Sequence, residues 1–365
     1  MNIDTSSPVM VTGSTGYVGG VLVQQLLEAG LHVHCPVRDP SNESKIKHLT
    51  DLPGGESRLK FFKANLLDQG SYLESMKDCS VVFHVASPFM MEVPKGKEQE
   101  MLLDPAVKGT LNVLESATDP SLGSSVKRVV LTSSIMAIAT DGTDCVEVVA
   151  KTGKMTNEES WNKSASKDYQ PYAYSKTLAE QAAWDFVKKQ DNCSYDLVVC
   201  NPSFVMGPGV KVHESSESYT FLQTFGSGKL SGGCPDFTMA FVDVRDVARG
   251  HIAAAFLPSE TVANQRYILN GTNSPMIGVG KELSEKYPNY SFPTSNIPKW
   301  LFWIVAPLVG FSRKQASRAV GHKYELDNAK SLRDLDLGEY RSLKETMNDM
   351  FQQCIDSGFI PTIEA

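Results

Sequence analysis

The sequence lacks the cysteine and charge patterns of several protein classes. It has seven cysteines but no C-x-x-C pair, and an odd, dispersed set predicts reduced thiols, with neither disulfides nor a zinc site. Basic residues are not in excess, because 35 lysines and arginines stand against 42 acidic residues and the net charge is −7. Since a nucleic-acid footprint requires a basic face, we expect no nucleic-acid partner. The dispersed cysteines likewise lead us to expect no bound metal.

No apolar run in the chain is long enough to cross a membrane, which takes about 20 residues. The most apolar stretch, residues 300–311, contains Pro307. It predicts a buried helix or a contact within a lobe, with peripheral membrane contact as the alternative. Residues 1–5 carry neither a basic nor an apolar run, which predicts no secretory signal. Together with the reduced thiols, this favours a cytoplasmic protein.

What the chain does contain is a sizeable apolar fraction, 41%, arranged over its first half in alternating strand and helix patterns. Short apolar runs bounded by turn residues predict strands at 8–12, 31–37, 59–63, 80–85, 127–132 and 196–200. Helical patterns cover about 17–29, 42–52, 69–78, 100–118 and 171–190. This alternation predicts an α/β fold, a doubly wound parallel sheet of the Rossmann type, with a ligand crevice at the carboxyl ends of its strands.

A glycine-rich turn follows the first predicted strand. Gly13, Gly16 and Gly19 form the pattern G-x-x-G-x-x-G between that strand and an amphipathic helix. In this position the first glycine permits a tight turn, the second lets the backbone approach phosphates, and the third lets helix and strand pack closely. The helix N-terminus then presents N–H donors to a dinucleotide pyrophosphate. The candidate contacts are Thr12, Gly13, Thr15, Gly16, Tyr17, Val18 and Gly19.

The choice of dinucleotide depends on the residues after the second strand. Enzymes that prefer NAD usually place a carboxylate there, which accepts hydrogen bonds from the ribose hydroxyls. Here Arg38 ends the strand and Lys45 follows in the next helix, and two cations suit the 2′-phosphate of NADP(H). Asp39 is the competing feature, but its side chain should point away from that of Arg38 if the strand pleat continues. The sequence therefore favours NADP(H).

The regular alternation breaks down after residue 200, which predicts two domains. We assign residues 1–200 to an NADP-binding Rossmann domain and interpret 239–259 as a strand and a helix that return to it. Residues 201–238 and 260–365 then form a smaller, discontinuous substrate-binding lobe. Helices are expected in it at 278–287, 298–306 and 342–357.

Tyr172 and Lys176 form a Y-x-x-x-K motif on a predicted helix between two strands of the sheet. Residues four apart lie on one face of a helix, so the ammonium of Lys176 can stabilise a phenolate. Free tyrosine has a pKa near 10, and acid–base chemistry at neutral pH needs a value about three units lower, or ~4 kcal/mol of preferential stabilisation. A second match, Tyr340 with Lys344, lies in a charged segment beyond the predicted sheet and is interpreted as a surface or lobe position.

Ser133 and Ser134 follow the predicted strand 127–132, where a doubly wound fold exposes residues to the crevice. A hydroxyl there can donate to a carbonyl oxygen and help to place it for hydride attack. We favour Ser134 over Ser133. Together, Ser134, Tyr172 and Lys176 predict a proton donor beside a hydride carrier, which is the arrangement that a carbonyl reductase needs.

These motifs resemble those of the extended short-chain dehydrogenase/reductases, and more narrowly those of the dihydroflavonol-4-reductase-like branch. That branch also holds cinnamoyl-CoA reductases and microbial aldehyde and ketone reductases. The resemblance covers residues 8–260 well and the remainder loosely. It rests on the segments 12–19, 37–40, 82–88, 132–134 and 172–176.

The resemblance implies roles for individual residues. Tyr172 would be the proton donor, Lys176 the modulator of its pKa and a ribose ligand, and Ser134 the group that orients the carbonyl. The resemblance also implies a place near the adenine for Asn65 and Leu66. It implies places near the nicotinamide ribose for Val85, Ala86 and Ser87, and near the nicotinamide for Pro202 and Val205.

The chain departs from the plant members of this branch beside the candidate site. Dihydroflavonol reductases tend to have an asparagine shortly after the serine, where this chain has the apolar segment 135–139. Cinnamoyl-CoA reductases have tryptophan and cysteine around the tyrosine, where this chain has Gln170 and Pro171. An apolar wall favours a hydrophobic aldehyde or ketone instead, with core packing as the other interpretation of its members: Phe89, Met90, Met136, Phe204 and Met206.

The sequence thus predicts an NADP-dependent oxidoreductase that reduces an aldehyde or ketone to an alcohol. A nucleotide-sugar epimerase or dehydratase is an alternative on the same fold, although Ile135 and Met136 stand where a dehydratase usually has an Asp-Glu pair. A 3β-hydroxysteroid-type dehydrogenase is a second alternative, given the apolar stretch 300–311. A non-catalytic NADP-sensing regulator is a third, although such proteins commonly lack the Tyr-Lys pair.

Overall fold

The structure, a computed structural model, describes residues 3–87, 93–123, 125–190 and 193–363. Its central feature is a seven-stranded sheet in which all neighbouring strands are parallel. The described residues form twelve strands, of which seven make up this sheet: β1 Val9–Thr12, β2 Val33–Val37, β3 Leu59–Lys63, β4 Val81–His84, β5 Arg128–Thr132, β6 Asp196–Pro202, β7 Phe204–Met206, β8 Cys234–Pro235, β9 Thr238–Asp243, β10 Arg266–Leu269, β11 Thr272–Pro275 and β12 Asn296–Ile297. The order in the central sheet is β10-β6-β5-β4-β1-β2-β3.

Helices connect these strands and cover both faces of the central sheet. They are α1 Tyr17–Glu28, α2 Glu43–Thr50, α3 Gly55–Arg58, α4 Leu73–Met76, α5 Asp104–Ala117, α6 Gly142–Thr152, α7 Pro171–Lys188, α8 Glu217–Gly226, α9 Val244–Phe256, α10 Ser259–Val262, α11 Met276–Lys286, α12 Lys299–Val305, α13 Arg313–Ala319, α14 Ala329–Asp334 and α15 Leu343–Asp356. A π-helical turn, Gln99–Leu103, precedes α5, and 3-10 turns lie at Pro120–Leu122, Ile135–Ala137 and Ala306–Val309. The strands predicted for the first 200 residues are all present, with ends shifted by one or two residues.

Alternate residues of β1 face opposite sides of the sheet. Val9 and Val11 pack into an apolar core shared with α1 and α9, whereas Met10 packs into a second core shared with α5 and α7. Burial on both faces is what a parallel sheet covered by helices on both sides requires. The predicted doubly wound α/β fold is confirmed.

The strand order reverses between β1 and β4, with β2 and β3 on one side and β5, β6 and β10 on the other. In sheets of this kind the ligand crevice opens at the carboxyl ends of the strands at the reversal. Thr12 and His84, the last residues of β1 and β4, are register partners. The segments that follow these two residues therefore form the floor of the candidate site.

The remaining strands form two smaller sheets. One has the order β11-β9-β7 and the other pairs β12 with β8, and α8, α11 and α15 pack with them around an apolar core. The structure differs from the predicted boundaries at two elements. The strand of 239–259 pairs with β7 and β11 and not with the central sheet, although its helix, α9, does pack against α1. Conversely, β10 of the predicted lobe is the edge strand of the central sheet, because its four residues are buried and pair with β6.

The apolar stretch 300–311 is buried on one side. Phe302 and Ala306 pack with Ala316 and Val320 in a small core, as the sequence predicts for a lobe contact. The opposite side faces outward, and Leu308 is 85% exposed. Within the described residues, no helix combines the length and apolarity needed to cross a membrane.

Candidate active site

The glycine turn between β1 and α1 has the geometry expected of a phosphate cradle. Gly13 has a φ of +69°, in the left-handed region that favours glycine, and the Gly16 N–H donates to the Gly13 carbonyl at 3.0 Å. Gly16 is the N-cap of α1, and no side chain caps that helix. Its first-turn N–H groups are thereby available to an anion.

Side chains on two of these glycines would collide with backbone atoms. A Cβ on Gly19 would lie 2.1 Å from the Gly13 carbonyl oxygen, and one on Gly13 would lie 3.0 Å from the backbone of Ala86. Gly19 therefore permits the close approach of helix and strand, as predicted. With no side chain at Gly13 or Gly16, the backbone of the turn fits the close approach of a dinucleotide pyrophosphate.

Thr12 ties the turn to the segment that follows β4. Its hydroxyl oxygen accepts from the Ala86 N–H at 3.0 Å and lies 2.9 Å from Nδ1 of His84. Burial, reinforced by the nearby charge of Lys176, lowers the pKa of His84 to about 3, so this imidazole is neutral. The hydroxyl of the fully buried Thr12 thus fixes Ala86 in the predicted cofactor segment Val85, Ala86 and Ser87, and the predicted contact of Thr12 with the cofactor stays a prediction.

Lys176 reaches this same segment from α7. Its ammonium Nζ donates to the Ser87 hydroxyl at 3.0 Å and lies 5.8 Å from the centroid of the Tyr172 ring. Burial lowers the pKa of Lys176 to about 8, against an opposing effect of the Glu180 carboxylate. The helical spacing thus places the ammonium between the predicted proton donor and the end of β4.

Tyr172 occupies the second position of α7, after Gln170 and Pro171. Gln170 adopts a φ of +54°, and the proline fits the first helical position because no intrahelical N–H bond is needed there. Burial raises the pKa of Tyr172 above that of free tyrosine. This direction is opposite to the one predicted from Lys176, because burial removes the water that would stabilise the phenolate.

The two serines after β5 have different environments. The Ser133 hydroxyl donates to Oε2 of Glu180 at 2.6 Å and is buried, whereas the partly exposed Ser134 accepts from the Met136 N–H at 3.2 Å. The 3-10 turn Ile135–Ala137 that follows Ser134 packs against α7. This arrangement agrees with the preference for Ser134, whose role stays a prediction.

Glu180 is the centre of a buried polar cluster that sequence reasoning misses. Its Oε1 accepts from Nε of Arg266 at 2.5 Å, and its Oε2 accepts from the Asn201 amide at 2.7 Å. The same amide donates to the Ser134 carbonyl at 3.1 Å. The cluster therefore joins α7, one turn after Lys176, to the ends of β5 and β6 and to the start of β10.

The predicted 2′-phosphate site is exposed and cationic. Arg38 and Lys45 are both exposed, and across the described residues neither side chain makes an ion pair. The carboxylate of Asp39 accepts from both the N–H and the hydroxyl of Ser41, at 3.0 and 2.6 Å, and these hydrogen bonds hold its pKa below the usual range. Asp39 is thereby engaged in its own turn, and the predicted divergence of its side chain from that of Arg38 stays a prediction.

The loop that carries the predicted adenine contacts is held by α5. A Cβ on Gly109 would lie 2.4 Å from the Leu66 side chain, so this glycine makes room for it. The Asn112 amide donates to the Leu66 carbonyl at 3.0 Å, and Asn65 accepts from the Leu67 N–H through its own side chain. The loop that carries Asn65 and Leu66 is thus fixed at the end of β3.

The remaining predicted residues lie at the boundary with the lobe. The Tyr17 hydroxyl donates to the Gly207 carbonyl, just after β7, at 2.5 Å. The backbone of Tyr17 and Val18 forms the start of α1. Pro202 ends β6, and the Val205 carbonyl in β7 accepts from Ser218 at 2.6 Å.

Three members of the predicted apolar wall lie in the described residues. Met136 and Phe204 are partly exposed, whereas Met206 is fully buried in the core of the lobe and is not a wall residue. Phe89 and Met90 lie outside the described residues.

In the described part of the chain, no group of three His, Cys, Asp or Glu side chains could hold a metal ion.

The family model "NAD dependent epimerase/dehydratase family" matches residues 9–269. The chain belongs to this family. A cinnamoyl-CoA reductase, CAD2, of Medicago truncatula is 39% identical over 289 residues, which are 78% of this chain and 82% of that one. A putative anthocyanidin reductase of Ginkgo biloba is 37% identical over 300 residues, 79% of this chain and 83% of that one.

Solved structures agree with these relatives. Gre2 of Candida albicans, in complex with NADPH, superimposes with a TM-score of 0.75 and 27% identity, covering 96% of this chain and 99% of that one. Vestitone reductase of alfalfa gives a TM-score of 0.71 and 25% identity, covering 97% and 100%. The predicted resemblance to extended short-chain dehydrogenase/reductases is confirmed, and the similarity to reductases supports an oxidoreductase.

Proposed function

We propose that the protein reduces a hydrophobic aldehyde or ketone to an alcohol with NADPH. The observation that carries the proposal is the convergence of Tyr172, Lys176 and Ser87 beside the glycine cradle at the reversal of strand order. NADPH, when bound, supplies the hydride. Its use by this chain is supported by Gre2, a relative in structure that binds NADPH.

The chain's own residues manage the proton and the orientation of the carbonyl. Burial raises the pKa of Tyr172, so the phenol holds its proton at neutral pH, and transfer of that proton requires stabilisation of the phenolate. Lys176, held by Ser87, stabilises the negative charge that develops on the phenolic oxygen as the proton leaves. Ser134 would donate to the carbonyl oxygen and so polarise the bond to be reduced.

A spectrophotometric assay tests this function. Purified protein is given NADPH and a panel of aliphatic and aromatic aldehydes and ketones, and loss of the reduced-cofactor absorbance is followed. We expect turnover that increases with the apolar character of the substrate, because Met136 and Phe204, two members of the predicted apolar wall, are partly exposed. Conversion of a nucleotide sugar without net cofactor oxidation would instead identify an epimerase, and oxidation of a 3β-hydroxysteroid with NAD would identify a steroid dehydrogenase. Cofactor binding without turnover of any carbonyl would favour a sensor.

Arg38→Asp should reverse the preference of the protein for its cofactor. A carboxylate at this position repels the 2′-phosphate and can accept from ribose hydroxyls, so KM should rise by about 10- to 100-fold for NADPH and change little for NADH. Steady-state kinetics with both cofactors measures the ratio. Lys229→Asp, which removes an exposed cation in the lobe, is the matched control and should leave the ratio unchanged. Equal losses with both cofactors for Arg38→Asp would contradict the assignment.

The pH profile should show the ionisation of Lys176. Its ammonium carries charge below a pH of about 8 and loses it above, so kcat/KM for NADPH should decline as the pH rises through that value. This parameter reports groups of the free enzyme. In Lys176→Arg the guanidinium stays charged, so the residual activity should lack this decline. A profile that falls at the same pH in both proteins assigns the ionisation to another group.

A cytoplasmic location remains part of the proposal. All seven cysteines are free thiols, and six of them are buried, an arrangement that suits a reducing compartment.

A further inference from the structure

The outward side of α12 and the turn after it is an apolar patch. Large apolar side chains on a surface helix usually face the core, with polar residues outside. Here exposure ranges from 38% to 85% for seven large apolar residues: Trp300, Leu301, Trp303, Ile304, Leu308, Val309 and Phe311. Apolar patches larger than a few hundred Å² are rare on monomeric proteins and mark interaction sites.

The patch is presented by a fixed scaffold. Phe302 is buried and its ring packs against Phe237 and Phe311, with centroids 5.4 and 5.8 Å apart. The Lys299 ammonium donates to the carbonyls of Ser317 and Val320, at 2.9 and 2.7 Å, which joins the start of α12 to the end of α13. The apolar side chains are therefore held outward by packing on their inner side.

The charged residues of the segment that carries the patch are of one sign. Between residues 287 and 324 the sequence has five lysines and arginines and no carboxylate, in a chain of net charge −7. Arg313 stacks on the Trp303 ring at 4.7 Å, and the adjacent Lys314 is also exposed. Of the five cations, Arg318 is neutralised by Asp141 and Asp144. The others leave a basic rim beside exposed tryptophans.

We propose that this patch docks the protein on the surface of an anionic lipid bilayer. Tryptophan at an apolar boundary, aliphatic side chains beyond it and lysine or arginine at the rim match the interfacial region of a membrane. A second copy of the chain is a poorer occupant. In a two-fold dimer the same surface meets itself, so the cations of both rims would face each other without carboxylates from this segment.

Vesicle binding by the full-length protein tests the proposal. Cosedimentation and tryptophan emission are measured with phosphatidylcholine vesicles and with vesicles that contain about 30% phosphatidylserine. The wild type should bind the anionic vesicles with a blue shift in emission, and raising the salt concentration from about 0.05 to 0.5 M should weaken binding. Brominated lipids should quench the emission, because Trp300 and Trp303 enter the interface.

Two variants separate the apolar and the charged contributions. Trp300→Ser with Leu308→Ser should weaken vesicle binding by about tenfold or more, since both side chains would leave the bilayer. Arg313→Gln with Lys314→Gln should remove the preference for anionic lipid. Ile363→Ser, which alters an exposed apolar residue elsewhere on the surface, is the control and should bind like the wild type.

Several results would overturn the proposal. One is a wild-type protein that binds neither kind of vesicle. Another is a folded variant, Trp300→Ser with Leu308→Ser, that binds as tightly as the wild type. Sedimentation equilibrium showing a dimer that the apolar variant dissociates, without vesicle binding, would assign the patch to self-association. If the apolar variant does not fold, the charge variant and the quenching of wild-type emission still decide the question.

Discussion

Tyr172→Phe should lower kcat for carbonyl reduction by about a thousandfold, within the range that positioned general acids contribute. The substitution removes one hydroxyl and keeps the ring that lies beside Lys176. NADPH affinity should change by less than about fivefold, because any hydrogen bond that the lost hydroxyl makes to the cofactor is worth ~1 kcal/mol or less. Single-turnover absorbance measures the chemical step, and fluorescence titration measures cofactor binding.

Tyr174→Phe provides the matched control. Tyr174 belongs to the same helix and is likewise partly buried, but it lies two positions from both Tyr172 and Lys176 and therefore on another face. It should keep activity within about twofold of the wild type. If Tyr172→Phe retained more than about a tenth of the wild-type rate, another group would have to supply the proton.

The local parts of the site could be predicted from the sequence because their geometry follows from spacing. Glycines three apart at the start of a helix dictate the turn at Gly13 and the close contact at Gly19. Four residues on a helix likewise place Lys176 near Tyr172. The position of Arg38 follows from the alternation of a strand whose end was predicted within a residue. No knowledge of distant contacts is needed at any of these positions.

Other features depend on contacts between distant parts of the chain. Ser133 and Arg266 reach Glu180 across 47 and 86 residues, and no local pattern distinguishes a buried glutamate on α7 from a solvated one. The direction of the Tyr172 pKa depends on how much water the assembled site removes. The exposure of Trp300 and Leu308 could not be read from hydrophobicity, since the same pattern predicts a buried helix. The signal that the sequence does contain is the excess of lysine and arginine over carboxylates in the segment 287–324.

Glu180→Ala should destabilise the protein by about 3–5 kcal/mol, because removing one member of a buried ion pair leaves the other charge uncompensated. The side chain of Glu180 is fully buried and that of Arg266 is 9% exposed. Arg266 also stacks on Trp161 at 3.8 Å and donates to the Glu158 carbonyl, so it cannot move into water without losing this packing. Urea unfolding followed by circular dichroism measures the change in the free energy of unfolding.

The same variant separates the effect of the cluster on the site from its effect on stability. Glu147→Ala breaks the exposed pair with Lys151 on α6 and should cost at most about 1 kcal/mol, without a kinetic effect. In Glu180→Ala, by contrast, Asn201 and Ser133 lose the acceptor that fixes the end of β5. We expect kcat to fall by about tenfold or more even where the variant is fully folded, as Ser134 shifts from its place. Glu180→Gln keeps an acceptor and should restore most of kcat while it recovers only part of the stability. If both Glu180 variants kept wild-type kcat below their unfolding midpoints, the cluster would serve stability alone.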